Sequence, residues 1–163
     1  MDEAFFTREV KARERSLYRI AISYLRQDAD AADAVQDALL TAWEKRHSLR
    51  ETDYFGTWLT RILINGCKTR LRSKPREERL NELPDQAAQN MGEDSLLIRE
   101  ALNSLNLKYR VPLLLYYLDG YPIREVARMM RLPQGTVKSR LSRARKLMRE
   151  KLTDQEVFED ETI

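Results

Sequence analysis

The sequence predicts an all-α protein of two small helical domains joined by a flexible acidic linker, with a helix-turn-helix in the second domain. Glycine and proline are scarce, at five each in 163 residues, and charged residues make up 34%. Apolar residues recur at helical spacing in two long segments, and that pattern is absent between residues 76 and 95. Few helix breakers and a helical apolar period favour helices over strands. We therefore predict a first domain at 1–75, a linker at 76–95, a second domain at 96–152 and an acidic tail at 153–163.

Composition also limits the chemistry that the chain can perform. Its lone cysteine, Cys67, excludes an intramolecular disulfide, and a reducing compartment fits that usage. Its lone histidine, His47, has no partner at metal-ligand spacing, and the sequence has no glycine-rich phosphate loop or Ser/His/Asp set. No apolar run approaches the roughly 18 residues of a membrane span, and the N-terminus lacks a signal-peptide pattern. We expect a cytoplasmic protein that is not an enzyme and has no metal, cofactor or small-molecule substrate.

Three helical segments make up the first domain. Apolar spacing over 3–26 predicts one long helix, or two with a break near 12–15. A second helix, over about 28–43, begins with acids that suit the positive end of a helix dipole. A third runs over about 54–73, and Pro75 ends it. The polar side of the second helix carries Asp30, Asp33, Gln36 and Asp37. From the residues alone, this side is a solvated helix face.

One face of the third helix combines aromatic rings, cations and an amide. Six residues recur there at intervals of three or four: Phe55, Trp58, Arg61, Asn65, Lys68 and Arg72. Aromatic rings can stack on unpaired bases, cations can follow phosphates, and an asparagine amide can read a base edge. The face therefore suits a single DNA strand, although for each aromatic ring taken alone a place in the core is the better prediction.

Acidic residues dominate the stretch that follows the first domain. Between residues 77 and 97 there are six acids, one base and no sustained apolar stripe, which is typical of a linker. In the second domain, apolar residues over 96–105 and 109–118 predict two helices. Pro112 falls in the first turn of the latter, and Gly120 is its predicted left-handed cap. The tail holds five acids and no base, and we expect it to be frayed.

A helix-turn-helix follows Gly120. Pro122 can open its first helix, and Pro133 stops that helix. Gly135 is predicted to give the backbone freedom for the turn, and Thr136 to cap the second helix. The second helix has a buried stripe at Val137, Leu141, Ala144 and Met148. The opposite face of this helix is basic. Between residues 134 and 152 the sequence has seven basic residues and one acidic residue.

That charge suits a helix that enters the major groove of DNA. The groove-facing candidates are Lys138, Ser139, Arg140, Ser142 and Arg143, with Thr136 on a phosphate. A basic amphipathic helix can also be a solvated surface helix, a calmodulin target or a membrane-surface helix. The turn and the short apolar helix before it favour DNA.

Three stretches resemble bacterial sigma factors of the extracytoplasmic-function group. Residues 135–145 (Gly-Thr-Val-Lys-Ser-Arg-Leu-Ser-Arg-Ala-Arg) resemble the helix that reads the minus-thirty-five element. Residues 55–72 resemble the helix of region two that melts and reads the minus-ten element, and 28–43 resemble the helix before it. The resemblance implies that Asp33, Gln36 and Asp37, with Asp30, bind the clamp of the large polymerase subunit. It covers about 28–73 and 96–152.

The resemblance implies an alternative sigma factor that binds core RNA polymerase and promoter DNA. It also implies control by an anti-sigma factor, often a membrane-tethered one. The chain departs from the family pattern at Ala32, where an acid is usual, and at Arg131, where glycine is frequent. A stand-alone helix-turn-helix regulator is the main alternative, and it predicts tight DNA binding without polymerase. An enzyme is disfavoured because the sequence has no set of catalytic residues. A purely structural adaptor is disfavoured because it would not need the basic helix.

Overall fold

The computed structural model of the protein describes residues 1–75 and 96–161. Its helices are α1 (Glu3–Lys11), α2 (Glu14–Leu25), α3 (Asp28–Glu44), α4 (Phe55–Ser73), α5 (Leu96–Ser104), α6 (Leu107–Leu113), α7 (Ile123–Met130) and α8 (Gln134–Glu161). Two 3₁₀ turns, Arg46–Ser48 and Thr52–Tyr54, connect α3 to α4. No strand occurs within the described ranges. The predicted all-α fold with a helix-turn-helix is confirmed, and the predicted linker lies outside the described residues.

α1 and α2 are separate helices, which confirms the predicted alternative of two helices with a break near 12–15. α1 ends at Lys11 and α2 begins at Glu14. The side chain of Asp2 caps α1 by accepting the N–H of Phe5 at 2.8 Å, which satisfies one of the donors that a helix start leaves without a partner. The break lets α1 turn back across the start of α4.

α2, α3 and α4 form the core of the first domain. α3 contributes small residues to it, since Ala31, Ala34, Ala38 and Ala42 are all buried. Larger side chains of the neighbouring helices fill the space, among them Ile20 and Leu25 on α2 and Leu59 and Leu63 on α4. Cys67 is buried in the same core, as a small apolar residue would be.

Phe55 lies in this core as well. Its ring is fully buried and makes edge contacts with Phe5 and Phe6, at centroid distances of 5.9 Å and 5.6 Å. The guanidinium of Arg13 lies 5.6 Å from its centroid. The prediction that Phe55 stacks on a base is therefore wrong for this structure, because the ring has no surface left to offer.

In the second domain, α6 begins at Leu107, and Pro112 lies in its interior and not in its first turn as predicted. The helix continues past Pro112 into a π-helical turn at Leu114–Leu118. Irregular hydrogen bonding of this kind accommodates a residue that has no N–H to donate. Gly120 follows with φ +74°, so the predicted left-handed glycine at the end of this helix is confirmed.

The turn of the helix-turn-helix is made by Arg131 and not by Gly135. Arg131 follows the last residue of α7 in the left-handed region, with φ +56°. The N–H of Leu132 then reaches back to the carbonyl of Ala127 at 3.0 Å, which is the bond of a Schellman ending. Gly135 lies inside α8 and does not have a positive φ. The prediction for Gly135 is therefore wrong.

α8 begins at Gln134, one residue after Pro133. The carbonyl of Pro133 accepts the N–H groups of Thr136 and Val137 at 3.1 Å and 3.2 Å. Thr136 is thus in the first turn of α8 and is not its N-cap, which corrects that prediction. α8 also continues to Glu161, so the expected frayed tail is helical over 153–161. Neither glycine nor proline interrupts the sequence after Gly135.

The two domains pack against each other, and their buried apolar residues form one core. Buried polar contacts also join them. Arg110, on α6, is fully buried, and its Nη2 donates to the carbonyl oxygen of Ser23 on α2 at 2.6 Å. Its Nη1 donates to the carbonyls of Asn103 and Leu105 at 3.2 Å and 3.3 Å. Burial, with the charge of Arg26, lowers the pKa of Arg110 to about 10, so the guanidinium stays charged at neutral pH.

A second contact joins Asp119, directly after the π-helical turn, to α2. The Asp119 carboxylate accepts a hydrogen bond from Ser16 Oγ at 2.7 Å and one from Arg19 Nη1 at 3.2 Å. Burial raises the pKa of Asp119, and its two partners act against that rise. Nearby, Gly56 at the start of α4 lies so close to Tyr121 that a Cβ would stand 2.5 Å from the tyrosine hydroxyl. We call the contacts of Asp119 with Ser16 and Arg19 the Asp119 clasp.

Candidate nucleic-acid interface

α8 separates a buried stripe from a basic outer face. Val137, Leu141 and Ala144 are buried against the second domain, as the spacing predicted. Four of the predicted groove residues are exposed on the outer face: Lys138, Ser139, Ser142 and Arg143. Further along the helix the outer face continues with Lys146 and Arg149, which are exposed too. This face can meet phosphates and base edges without any rearrangement of the helix.

Arg140 and Thr136, the other two predicted groove residues, are half-buried. Arg140 lies near the first domain, where its charge acts on Tyr24 of α2 and on Lys68 of α4. Burial lowers the pKa of Lys68, and the nearby charges of Arg131, Arg72 and Arg140 lower it further. Cations from α4 and from α8 are therefore close together, and they repel each other where no anion lies between them.

The predicted strand-binding residues on α4 other than Phe55 lie at or near its surface. Arg61 and Arg72 are exposed, and Trp58, Asn65 and Lys68 are half-buried. Trp58 touches the core at one edge, with its ring centroid 5.9 Å from that of Phe55. The face thus keeps one aromatic ring, one amide and three cations that a DNA strand could contact.

A groove beside Trp58 was missed by the sequence analysis. It has a volume of about 480 Å³, and the connection between α3 and α4 and the first turns of α4 line most of it. Its main side chains are Leu49, Tyr54, Thr57, Trp58 and Arg61, and one more, Arg128, comes from α7 of the second domain. Tyr54 next to Phe55 was a usable signal, because adjacent residues of a helix point in directions about 100° apart, so that a second aromatic ring can lie at the surface.

The four polar residues predicted on α3 divide into two pairs. Asp33 and Gln36 are exposed. Asp30 forms an ion pair with Lys74, at 2.7 Å between Oδ2 and Nζ, and Asp37 forms one with Arg70. Both ion pairs connect α3 to α4 or to the residue after it. Asp37 and Arg70 also line a second groove, of about 510 Å³, together with Asn65.

The described residues include no group of three or more His, Cys, Asp or Glu side chains that could hold a metal ion. Among them, no helix has the length and apolar character needed to cross a membrane. The surfaces that stand out in the described part of the chain are therefore the α8 outer face, the α4 face with its groove, and the acidic side of α3.

Two family models match the chain. Residues 10–77 match sigma-70 region 2, and residues 95–148 match sigma-70 region 4. The first match holds α2, α3 and α4 entire, and the second holds the helix-turn-helix. Together they cover most of the sequence.

The chain is also similar to curated sigma factors. It is 35% identical over 150 residues to the ECF RNA polymerase sigma factor SigM of Mycobacterium tuberculosis, across 88% of this chain and 75% of SigM. It is 30% identical over 141 residues to the ECF RNA polymerase sigma-E factor of Escherichia coli, across 76% and 74% of the two chains.

Two solved structures have a similar fold. The sigma factor RpoE of Bartonella quintana, in complex with the anti-sigma factor NepR, aligns with a TM-score of 0.74 and 30% identity over 91% of this chain and 96% of that one. CnrH in complex with the cytosolic domain of CnrY aligns with a TM-score of 0.66 and 25% identity over 91% and 88%.

Proposed function

This chain belongs to the sigma-70 family, in its extracytoplasmic-function group, and we propose how its two domains divide the work of promoter recognition. The protein is an alternative sigma factor that directs promoter-specific transcription initiation, and it works with core RNA polymerase and promoter DNA. The observation that carries the division of labour is that two faces of different character lie on two different domains. One is the basic outer face of α8, and the other is the aromatic and cationic face of α4.

The second domain, in this proposal, reads the minus-thirty-five element as duplex DNA. Lys138, Ser139, Arg140, Ser142 and Arg143 face the major groove, and Thr136 contacts a phosphate. The exposure of most of these side chains along one side of α8 supports this role. Arginine is the residue best suited to specific reading, because its guanidinium can donate two hydrogen bonds to a guanine edge.

The first domain holds the melted minus-ten strand. Trp58 stacks on an unpaired base, Asn65 reads a base edge, and Arg61, Lys68 and Arg72 follow the phosphates. Trp58 and Arg61 line the groove of about 480 Å³, and this placement supports the role. Phe55 is not part of this surface. Its buried ring instead keeps the start of α4 in place.

α3 binds the clamp of the large polymerase subunit. Asp33 and Gln36 contact it directly, since both are exposed on one side of the helix. Asp30 and Asp37 are within the same surface, and their ion pairs with Lys74 and Arg70 set the position of α3 against α4. A cytoplasmic location, the absence of an enzymatic activity and control by an anti-sigma factor belong to the proposal as well. The solved structure of RpoE with the anti-sigma factor NepR supports the last of these.

Transcription in vitro tests the proposal. Purified bacterial core polymerase is mixed with a pool of promoter fragments, with and without this protein, and the transcripts are sequenced. We expect initiation from a defined subset of fragments only when the protein is present. A shift of duplex DNA by the protein alone, with no transcript, would favour the stand-alone regulator.

The polymerase surface is tested by Asp33→Arg combined with Gln36→Ala. We expect this double variant to lose binding to core polymerase in a pull-down, because a charge reversal at a protein interface places like charges together. The matched control is Glu3→Arg with Thr7→Ala, which makes the same kind of change on the exposed side of α1. Equal loss in both variants, or in neither, contradicts the assignment of α3.

A further inference from the structure

The hydroxyl of Ser139 forms a hydrogen bond within α8. Ser139 Oγ donates to the carbonyl oxygen of Thr136, one turn earlier, at 3.0 Å. A serine hydroxyl has a single hydrogen to donate and two lone pairs that can accept. Because its hydrogen is directed at the helix backbone, Ser139 presents its lone pairs to any group outside the helix.

Ser139 points directly away from the core of the second domain. It lies two residues after Val137 and two residues before Leu141, and both of these neighbours are buried. Successive residues of a helix are about 100° apart, so a residue at this position lies on the side opposite both neighbours. The side chain of Ser139 is exposed there. With α8 in a major groove, the Ser139 hydroxyl therefore lies at the base edges.

Strong hydrogen-bond acceptors are scarce on this part of α8. Between residues 136 and 149 the sequence has six lysines and arginines and no Asp, Glu, Asn or Gln. Lysine and arginine side chains only donate. The hydroxyl groups in this range belong to Thr136, Ser139 and Ser142. Adenine and cytosine each present an amino group in the major groove, and a donor that loses water without gaining an acceptor is costly. The hydroxyls are therefore the side-chain groups of this segment that can satisfy such an amino group.

Ser142 differs from Ser139 in its own hydrogen bonding. It is exposed on α8 three residues further along, and its hydroxyl has no hydrogen-bond partner in the described part of the chain. The Ser142 hydroxyl can therefore rotate to donate or to accept, whereas the hydrogen of Ser139 already has a partner. Ser142 is thus a matched control for Ser139.

We propose that Ser139 reads an exocyclic amino group in the minus-thirty-five element, either N6 of an adenine or N4 of a cytosine, and selects against guanine and thymine at the same place. The inference rests on the proposed role of α8 in the major groove. An amino group can donate to Ser139 Oγ while the hydroxyl keeps its bond to the Thr136 carbonyl. Donation from Ser139 to O6 of guanine or O4 of thymine would break that bond, so the contact with guanine or thymine gains less.

The test measures the coupling between the Ser139 hydroxyl and single atoms of the promoter. The DNA is the promoter fragment that the complex of core polymerase with this protein selects from a random pool. In one set of fragments each adenine or cytosine of the minus-thirty-five element is replaced, in turn, by an analogue that lacks the amino group. A parallel set removes one acceptor at a time: N7 of a purine, O6 of guanine or O4 of thymine. Affinities are measured for complexes that contain the wild type, Ser139→Ala or Ser142→Ala.

We expect one amino group, on one strand, whose removal weakens binding of the wild-type complex by about two- to tenfold, the range of a single hydrogen bond. The same removal should not weaken binding of the Ser139→Ala complex by this factor. Any loss of base pairing is common to both complexes, so the difference between them isolates the contact. The Ser142→Ala complex should respond to this removal as the wild type does. Alanine is a strong helix former, and circular dichroism checks that both variants keep their helices.

Three results would overturn the inference. They are coupling of Ser139 to an acceptor atom, coupling of Ser139 to no atom of the element, and loss of the same response in Ser142→Ala. Failure of the proposed function has a different signature, because Arg143→Ala would then change base preference at no position. If Arg143→Ala alters base preference while Ser139 couples to no amino group, the inference fails and the proposed function stands.

Discussion

Phe55 and Trp58 are three residues apart on α4, and their surroundings give them different roles. Phe55→Ala should lower the free energy of unfolding by about 3–5 kcal/mol, because it empties a fully buried ring site. Trp58→Ala should cost much less stability but should reduce melting of promoter DNA by the polymerase complex. Thermal unfolding measures the first effect, and permanganate reactivity of unpaired thymines measures the second. Equal stability losses would contradict the distinction between core ring and surface ring.

Arg131 has a left-handed backbone at a position where the family often has glycine. Arg131→Gly should raise the free energy of unfolding by about 1 kcal/mol relative to Arg131→Ala, because a Cβ is disfavoured at this φ. The alanine variant is the matched control, since it removes the same charge near Lys68 and keeps the Cβ. Chemical denaturation of both variants checks the prediction. If the two variants are equally stable, the residue is not strained.

The Cys67 thiol should be inert in the folded protein. Burial raises its pKa to about 12, against a smaller opposing effect of Arg70, and the thiolate is the reactive form. Alkylation at mildly alkaline pH should be slow until the chain is unfolded. The unfolded thiol loses its proton near its ordinary pKa of 9.0 while the folded one keeps it. The free energy of unfolding should therefore fall as pH rises above that value, and it should fall less in Cys67→Ala.

At the scale of elements, α8 makes different kinds of DNA contact along its length. Arg143→Ala should weaken promoter binding by about 1–3 kcal/mol and relax specificity at one base position, if its contact is bidentate. Arg149→Ala, two turns nearer the C-terminus, should weaken binding to all sequences alike and reduce the salt dependence. Binding of the polymerase complex to promoter libraries at several salt concentrations measures both. A uniform loss with Arg143→Ala would contradict base reading.

The boundaries of several helices were predictable from the sequence, and the turns were not. Apolar spacing placed α4 within one residue of its observed start. The same reasoning failed at the helix-turn-helix, where glycine was expected to make the turn and Arg131 makes it instead. Spacing reports which side of a helix is buried, whereas the choice of a left-handed residue depends on hydrogen bonds that the whole turn must satisfy. The prediction that Phe55 contacts DNA failed for a similar reason. The break after α1 brings the rings of Phe5 and Phe6 onto Phe55, and helical spacing does not predict this contact.

At the scale of the whole molecule, Arg110 should make the two domains unfold together. Arg110→Met removes three hydrogen bonds from a buried site and should lower the free energy of unfolding by about 2–4 kcal/mol. Both tryptophans, Trp43 and Trp58, lie in the first domain, so their fluorescence reports that domain alone. In the wild type, fluorescence and far-ultraviolet circular dichroism should give one melting curve. In the variant, the two curves should separate, and coincident curves would contradict the coupling.

The contact between the domains could not be predicted from the sequence. Its polar residues are charged, and Arg110 and Asp119 each fit an ordinary surface position when read alone. Its apolar residues belong to a core that both domains share. Helical spacing indicates that a stripe is buried, but it does not indicate which domain covers the stripe. Only the folded arrangement brings Asp119 to Ser16 and Arg19, more than ninety residues away in sequence.

The length of α8 gives the protein an orientation on DNA. With 28 residues the helix is about 42 Å long, and the sequence along it changes from basic before residue 152 to acidic after residue 153. A rod with opposite charge at its two ends has a large electric dipole, and a polyanion attracts one end while it repels the other. The helix therefore tends to approach a promoter with its basic part towards the DNA. That preference favours encounters in which the residues proposed to read the minus-thirty-five element already face the duplex.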